Sequence, residues 1–192
     1  MSYQYPETPI PSYPMDISIN WKNITSQYDS GKEQSRQKNL YPKYDVKLSY
    51  GTLTDSDVQI LWNFYQARRG SFEAFYFYTV VEVVEWKGIF VGMGDAHTLI
   101  YDIPGKSTTN HVVYANGFPM SSSLYTISYG YGDCYSDRIT FGIALAVNTI
   151  ITVDFTGYLR IRCKFKNDTF TKSLFTYVLY SIGLELKGVA NI

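Results

Sequence analysis

Few side chains in this chain of 192 residues have the chemistry of a catalyst or a metal ligand. There are two histidines, His97 and His111, on separate predicted strands, and neither has other ligand-type residues at metal-binding spacing around it. The two cysteines, Cys134 and Cys163, are too few to staple a fold of this size and form no C-x-x-C motif. We therefore predict no metal-binding residue and two reduced packing thiols, with a disulfide between the two cysteines as the alternative.

Paired carboxylates are the remaining candidates for acid–base chemistry. Examples are Asp55 with Asp57 and Glu82 with Glu85. A glycosidase needs two carboxyl groups that face each other across a cleft, about 5–10 Å apart. The chain has 17 acidic residues, so accidental pairs are expected, and Asp55 and Asp57 already suit the start of a helix. The sequence contains no nucleophile elbow, zinc-binding helix or P-loop. We predict no catalytic residue and no enzyme, and a hydrolase with paired carboxylates is the least favoured alternative.

Two glycine-containing motifs could hold a ligand. The pair Gly92-x-Gly94 lacks the third glycine and the following helix of a dinucleotide site, so we predict no cofactor. The segment Tyr129-Gly130-Tyr131-Gly132-Asp133 is typical of a tight turn, because glycine permits positive φ. It is also compatible with an exposed aromatic loop whose Tyr129 and Tyr131 could stack on sugars or bases.

The overall composition excludes several partners. Lys+Arg and Asp+Glu are both 17, which gives no general reason to expect sequence-specific nucleic-acid binding or an anionic membrane. No run approaches the roughly 18–20 apolar residues of a membrane span. Residues 1–14 carry four prolines and no apolar signal segment, so we expect synthesis and folding in a reducing cytoplasm. The aromatic content of 17%, with 19 tyrosines, suits β-strands and protein interfaces.

Most of the chain has strand-like patterns. Apolar and polar residues alternate at 15–22 and at 44–50, and the polar segment 30–39 between them predicts a loop. The aromatic and β-branched segment 72–86 predicts one long strand or two. Further short strands are predicted at 89–91, 97–101, 111–115, 124–129, 138–146, 149–156, 158–166 and 176–187.

One helix is predicted, from about residue 55 to 69. Thr54 can cap it with Asp57 at the third helical position, and Leu53 and Val58 can form a hydrophobic staple. An apolar stripe follows at helical spacing, and Gly70 provides the stop.

These elements predict a mainly β (α+β) fold. An N-terminal β-sheet part with one helix precedes a C-terminal β-sandwich or small β-barrel. We divide the chain into an extended arm at 1–14, an α+β part at 15–91 and an all-β part at 92–192. The last strand can return to the N-terminal part, since its alternation suits a two-layer sheet.

Several different short motifs follow one another along the chain in a characteristic order. They are Ser30-Gly31-x-Glu33-x-x-Arg36, Ala67-Arg68-x-Gly70, Phe75-x-Phe77, Gly92-x-Gly94-Asp95, Ile139-Thr140-Phe141, Val153-x-Phe155, Arg162-x-x-Phe165-x-x-Asp168 and Leu184-x-Leu186. This order resembles the phage tail family linked to the distal tail proteins of siphophages and gene transfer agents. The resemblance covers about residues 30–189. It departs just after Phe75-x-Phe77, where family members often carry acidic residues and this chain has Thr79 and Glu82, and at 159–161, where a proline is usual.

The resemblance implies a structural protein of the virion tail tip, made in the host cytoplasm. It implies a ring, usually of six copies, between the tail tube protein and a baseplate hub or receptor-binding protein, and no reaction. We expect the interface in the arm, the 30–39 loop and the 72–86 region, although the arm could be a frayed terminus and the loop a solvated hairpin. The expected interface residues are Tyr3, Tyr5, Tyr13, Lys32, Arg36, Lys38, Phe75 and Phe77.

Another class of function stays open. A carbohydrate-binding module of a virion or cell-surface complex would use exposed aromatic residues, most naturally near 125–135. For the arm, the sequence predicts that deletion of residues 2–13 leaves a folded monomer that assembles less well.

Overall fold

A computed structural model describes residues 3–29, 31–79, 83–177 and 179–190, apart from the side chains of residues 175 and 176. The chain is mainly β with one α-helix, which confirms the predicted fold class. The first elements are β1 (Ser12–Asn20), β2 (Asn23–Gln27), β3 (Glu33–Gln37), β4 (Lys43–Leu53), α1 (Asp55–Ala67) and β5 (Phe75–Tyr78). They are followed by β6 (Val84–Met93), β7 (Ile100–Asp102), β8 (Gly105–Ala115), β9 (Phe118–Pro119), β10 (Tyr125–Ser128) and β11 (Arg138–Phe141). The last are β12 (Ile150–Phe165), β13 (Lys172–Thr176) and β14 (Leu179–Gly188).

The chain forms two compact units, and each is built from two separate stretches. Unit 1 consists of Met1–Glu7 and Phe75–Ile161, and unit 2 of Thr8–Ala74 and Arg162–Ile192. The division that the sequence suggested at residue 92 falls inside β6, so the compact units have other bounds than the predicted segments.

Unit 2 is an antiparallel sheet with a helix on one face. β4 lies between β1 and β14, and β13 pairs with β14. The last strand thus returns to lie beside β4, the position that the sequence allowed for it. The alternation of small and large residues puts one set of side chains into the core: Val46, Leu48, Tyr50, Leu53, Ile182, Leu184 and Leu186.

Helix α1 begins where its capping residues predict. The Thr54 hydroxyl accepts from the N–H of Asp57 at 3.4 Å, and the Asp57 carboxylate accepts from the N–H of Thr54 at 3.0 Å. This reciprocal capping box satisfies two N–H groups that the first turn leaves without helical partners. The helix buries Val58, Leu61 and Tyr65, and ends at Ala67 rather than 69.

Unit 1 is all β in its described part. Residues 150–157 of β12 pair with β6 on one side, and residues 151–159 pair with β8 on the other. A second sheet has the order β10-β11-β7. Alternate residues of β12 are buried along the strand, which gives this unit much of its core: Ile151, Val153, Phe155, Leu159 and Ile161.

Several element predictions need correction. Residues 33–37, predicted as loop, form β3 and pair with β2. The two strands predicted at 149–156 and 158–166 are a single strand, β12. Gly157 does not break it, and a Cβ there would lie 3.1 Å from the backbone of residues 106–108, so the glycine allows the strands to approach closely. Glu82 and part of the predicted 72–86 region lie outside the described residues.

Candidate functional site

The β2–β3 hairpin of unit 2 is the most exposed structure in the described part of the chain. Every described residue from 18 to 38 is solvent-exposed. The pairing between the two strands runs from Asn23 opposite Gln37 to Gln27 opposite Glu33. A bond from the Tyr28 hydroxyl to Gln34 at 2.9 Å braces the end near the turn. Two-stranded hairpins that pack against nothing are at best marginally stable in water.

The two faces of this hairpin differ in chemistry. Successive side chains of a strand point to opposite faces, and directly paired residues share a face. Ile24 therefore lies on one face with its partner Arg36, and Ser26, Gln34 and Tyr28 follow on the same face. The other face carries only polar side chains: Asn23, Thr25, Gln27, Glu33, Ser35 and Gln37. We call the first the apolar face of the hairpin; Ile24 is 50% and Tyr28 54% exposed there.

The strand that leads into the hairpin is also open. β1 pairs with β4, and no strand lies along its other edge within the described ranges. Ile19 at its end and Trp21 after it are large apolar side chains exposed to solvent. An open edge of this kind can pair with another chain.

The structure divides the predicted interface residues into two groups. Lys32, Arg36 and Lys38 are exposed on the hairpin, and Tyr13 is exposed on β1. Tyr3 is exposed, and its carbonyl accepts from the N–H of Tyr76 at 2.7 Å.

The remaining three are core residues of unit 1. Tyr5, 4% exposed, stacks on Phe75 and meets Phe77 edge-on, and both phenylalanines are 1% exposed. Their side chains hold the start of the chain to β5, so they do not present a surface to a neighbour. The sequence missed Ile24 and Tyr28, although the alternation Ile24, Ser26, Tyr28 would have revealed them.

The tyrosine-rich segment forms an ordered loop in unit 1, which we call the aromatic loop (residues 129–137). Tyr129, Tyr131 and Tyr135 are all exposed, and Tyr131 is 74% exposed. Gly130 has φ +71°, as predicted for a turn glycine, but Cys134 and Tyr135 also have left-handed conformations. The glycine-rich motif in the sequence indicated Tyr129 and Tyr131 but not Tyr135.

Buried polar groups hold this loop in place. The Asp137 carboxylate accepts from the N–H of Gly130 at 2.8 Å. The guanidinium of Arg160 donates to the Asp133 carbonyl at 2.6 Å and to the Ser136 hydroxyl at 2.9 Å. The Tyr78 hydroxyl donates to the Cys134 carbonyl at 2.7 Å, and burial raises the pKa of this hydroxyl. Loop backbone that would otherwise be mobile is therefore fixed, and the tyrosines are preorganised.

A hydroxyl, an imidazole and a carboxylate meet beneath the loop. The Thr108 hydroxyl lies 2.6 Å from both Asp137 Oδ2 and His111 Nε2. A hydroxyl has one proton, and an ionised carboxylate can only accept, so Thr108 donates to Asp137 and accepts from His111. The histidine is then not a base toward Thr108, which is fully buried. This arrangement anchors the loop and does not activate a nucleophile.

Other acidic groups are engaged in local structure. Asp57 caps α1, and Glu85 pairs with Lys87 at 3.3 Å. Asp95 accepts from the Thr98 hydroxyl at 2.6 Å and from the N–H groups of His97 and Thr98, which lowers the pKa of Asp95 to about 2. A carboxyl with so low a pKa is almost fully ionised near neutral pH and is poorly suited to act as a general acid.

Three further findings concern metals, thiols and membranes. Among the described residues, no group of three or more His, Cys, Asp or Glu side chains is arranged to hold a metal ion. Cys134 and Cys163 are not joined in a disulfide. No helix in the described part of the chain, α1 included, is long and apolar enough to span a bilayer.

The comparisons with known proteins give no family assignment. No family model matches the chain, and no curated protein matches it either.

Proposed function

We propose that this protein is a structural component of a bacteriophage tail tip that assembles into a closed ring. The observation that carries the proposal is the apolar face of the β2–β3 hairpin, where Ile24, Tyr28 and Arg36 are exposed on the same side. The order of sequence motifs supplies the biological setting. The ring would lie between the tail tube protein and the baseplate hub or receptor-binding protein, and six copies is the number we favour.

The hairpin suits a contact between copies for energetic reasons. Complete burial of a large apolar side chain contributes about 1.5–3 kcal/mol. Tyr and Arg are also the residue types that dominate binding energy in interfaces. The hairpin from 20 to 39 carries Lys22, Lys32, Arg36 and Lys38 against Asp29 and Glu33, so four positive minus two negative charges leave a net charge of +2. An interface that covers this surface needs acidic or carbonyl oxygens near its rim.

The open edge of β1 supports the same function. A ring of identical subunits needs a surface that meets a different surface of the next copy, and repeated rotation closes it. The projecting hairpin and the free strand edge lie on the same unit and give such a head-to-tail contact both an apolar anchor and backbone hydrogen-bonding groups. In this proposal the protein catalyses no reaction, and its function is to position its neighbours.

The test is to measure the mass of the assembly for two neighbouring hairpin variants. Ile24→Lys changes the apolar face, and Thr25→Lys adds the same charge on the polar face one residue away. Mass photometry and negative-stain microscopy are expected to show rings for the wild type and Thr25→Lys. For Ile24→Lys we expect association to weaken by about tenfold or more, equivalent to at least ~1.4 kcal/mol. Equal assembly of both variants, or a wild type that stays monomeric even with the tail tube protein, would contradict the proposal.

A second candidate function is carbohydrate binding by the aromatic loop. Its support is the fixed backbone that presents Tyr129, Tyr131 and Tyr135 to solvent. Exposed tyrosines can stack on the apolar face of a sugar ring, and preorganisation lowers the entropic cost of binding. Tyr131→Ala is expected to abolish saturable sugar binding if the loop is the site, and unchanged binding would exclude it.

A further inference from the structure

The outer face of the unit 2 sheet, opposite α1, contains a groove that no sequence motif indicated. Its volume is about 370 Å³, near the lower end of the range of roughly 300–1,000 Å³ for small-molecule sites. Parts of β1, β4, β13 and β14 line it, and the exposed ring of Tyr13 stands at its border. We call it the outer groove.

The strand register explains why small residues, most of them serines, line the floor of the groove. Ser49 of β4 is paired with Ser12 of β1 and with Gly183 of β14, so these three residues form a row on one face. Ser181 is paired with Ser173 of β13 and adds a second row on the same face. The residues between them, such as Tyr50 and Ile182, are buried. Small residues thus collect outside the sheet because the large ones alternate inward.

Two glycines open the floor to a ligand. A Cβ at Gly183 would have no atom within 4 Å, and one at Gly51 would meet the Ser12 hydroxyl at 3.6 Å. Neither glycine has a positive φ, so backbone conformation does not require glycine here. The space that a side chain would fill is left free, and a ligand can approach the backbone closely.

The lining has hydroxyl groups and carries no charge. Ser49, Thr171, Ser173 and Ser181 make no side-chain hydrogen bond within the described part of the chain, and Ser12 accepts from the N–H of Gly51 at 3.0 Å. None of the lining residues is charged. A hydroxyl offers one donor and two acceptor positions, which matches the hydroxyls of a sugar. A charged ligand would lose its hydration without a counter-charge.

We propose that the outer groove binds a short neutral saccharide, with one sugar ring stacked on Tyr13 and its hydroxyls bonded to the serines on the floor. A peptide fits the groove less well. Extended peptides bind to free sheet edges and place side chains into pockets. The floor strands β4 and β14 already have strands on both sides. The groups in the groove that can recognise a ligand are side-chain hydroxyls and one aromatic face. A saccharide can form hydrogen bonds with the hydroxyls and stack on the aromatic face.

The proposal does not depend on ring assembly, and the experiment separates the two. ¹H–¹⁵N NMR spectra of the full chain are recorded during titration with maltose, lactose and chitobiose, with glucose 6-phosphate as the charged comparison. At least one neutral sugar is expected to give saturable shifts with a Kd on the order of 1 mM. Gly183→Val, which fills free space and favours a strand, should keep the fold and weaken this binding by at least tenfold. Tyr13→Ala should weaken it by a similar factor.

Three matched variants complete the test. Gly142→Val places the same side chain at a glycine in unit 1 whose Cβ would meet only the Leu124 carbonyl, at 3.7 Å, and should leave binding unchanged. Ile24→Lys should also keep sugar binding, even where it weakens assembly. Tyr131→Ala should keep it as well. The proposal would be overturned if none of the three neutral sugars gave saturable shifts, or if Gly183→Val bound sugar as tightly as the wild type. Tighter binding of the phosphorylated sugar, or loss of binding in Tyr131→Ala, would overturn it as well.

Discussion

The carboxylate of Asp137 accepts two hydrogen bonds from Thr108, one from its N–H at 2.7 Å and one from its hydroxyl at 2.6 Å. The two residues are 1% and 0% exposed. Together they join β8 to the end of the aromatic loop. A charged group is buried here because three donors compensate its lost hydration, the third being the N–H of Gly130. The order of the loop therefore depends on one carboxylate.

Replacement of Asp137 should destabilise the protein more than replacement of an exposed acid in the same loop. Asp137→Asn removes the charge and turns an amide NH₂ toward a donor, so we expect a loss of about 2–3 kcal/mol of unfolding free energy. Urea denaturation measures this loss. Asp133→Asn, at an exposed position, should change it by less than about 0.5 kcal/mol. Equal effects of the two changes would argue against the anchoring role.

Acidification should weaken unit 1 through His111. Burial lowers the pKa of His111 below its ordinary 6.5, and the nearby Asp137 charge opposes this shift. The unfolded chain then binds the proton first, so the contribution of His111 is fully present above pH 6.5 and is lost as the pH falls toward the folded-state pKa. Carboxyl groups with a lowered pKa, such as those of Glu7 and Glu185, change the stability of the protein with pH only below about pH 4.5, outside this interval.

Urea denaturation at several pH values between 7.5 and 5 measures this effect. His111→Gln keeps a donor for Thr108 and removes the titration, so its stability should be nearly constant across this interval. A wild type whose stability is equally constant would contradict the prediction.

The helix cap should contribute measurably to the stability of unit 2. Thr54→Ala removes the hydroxyl that closes the capping box with Asp57, and we expect a loss of about 1 kcal/mol, within the range of roughly 0.5–2 kcal/mol for such caps. Thermal denaturation followed by circular dichroism gives the value. Thr54→Ser retains the hydroxyl and serves as the control; an equal loss in Thr54→Ser would show that the hydroxyl is not what matters.

Two tyrosines that the sequence placed in one interface should behave differently. Tyr5 is buried between Phe75 and Phe77, so Tyr5→Ala is expected to cost about 3 kcal/mol through lost packing. Tyr13 is 75% exposed, and Tyr13→Ala should change stability by less than about 0.5 kcal/mol. Unfolding free energies from urea titrations distinguish the two.

The position of Tyr5 also changes what we expect of the arm. Deletion of residues 2–13 removes this core side chain and the ion pair of Glu7 with Lys106, at 2.6 Å. We now expect the deletion to destabilise unit 1, whereas the sequence predicted a folded monomer. A truncated chain as stable as the wild type would restore the original prediction.

The sequence by itself determined the features that depend on near neighbours. The capping box of Thr54 and Asp57 follows from spacing along one turn, and alternation at 15–22 and 44–50 identified two neighbouring strands of unit 2, the edge strand β1 and the inner strand β4. Gly130 marked a turn, because its conformation is a local property. The mainly β class followed from the many short alternating segments.

Only the tertiary structure decided which aromatic residues are buried and which are presented. Phe75 and Tyr5 are in the core because two segments 70 positions apart (75 minus 5) meet there. A pattern of neighbouring residues cannot predict a contact between positions so far apart in the sequence. The faces of the hairpin depend on the register that places Arg36 opposite Ile24. The outer groove depends on four strands brought side by side from distant parts of the chain. Local propensities set the elements, and long-range pairing set the surfaces from which function follows.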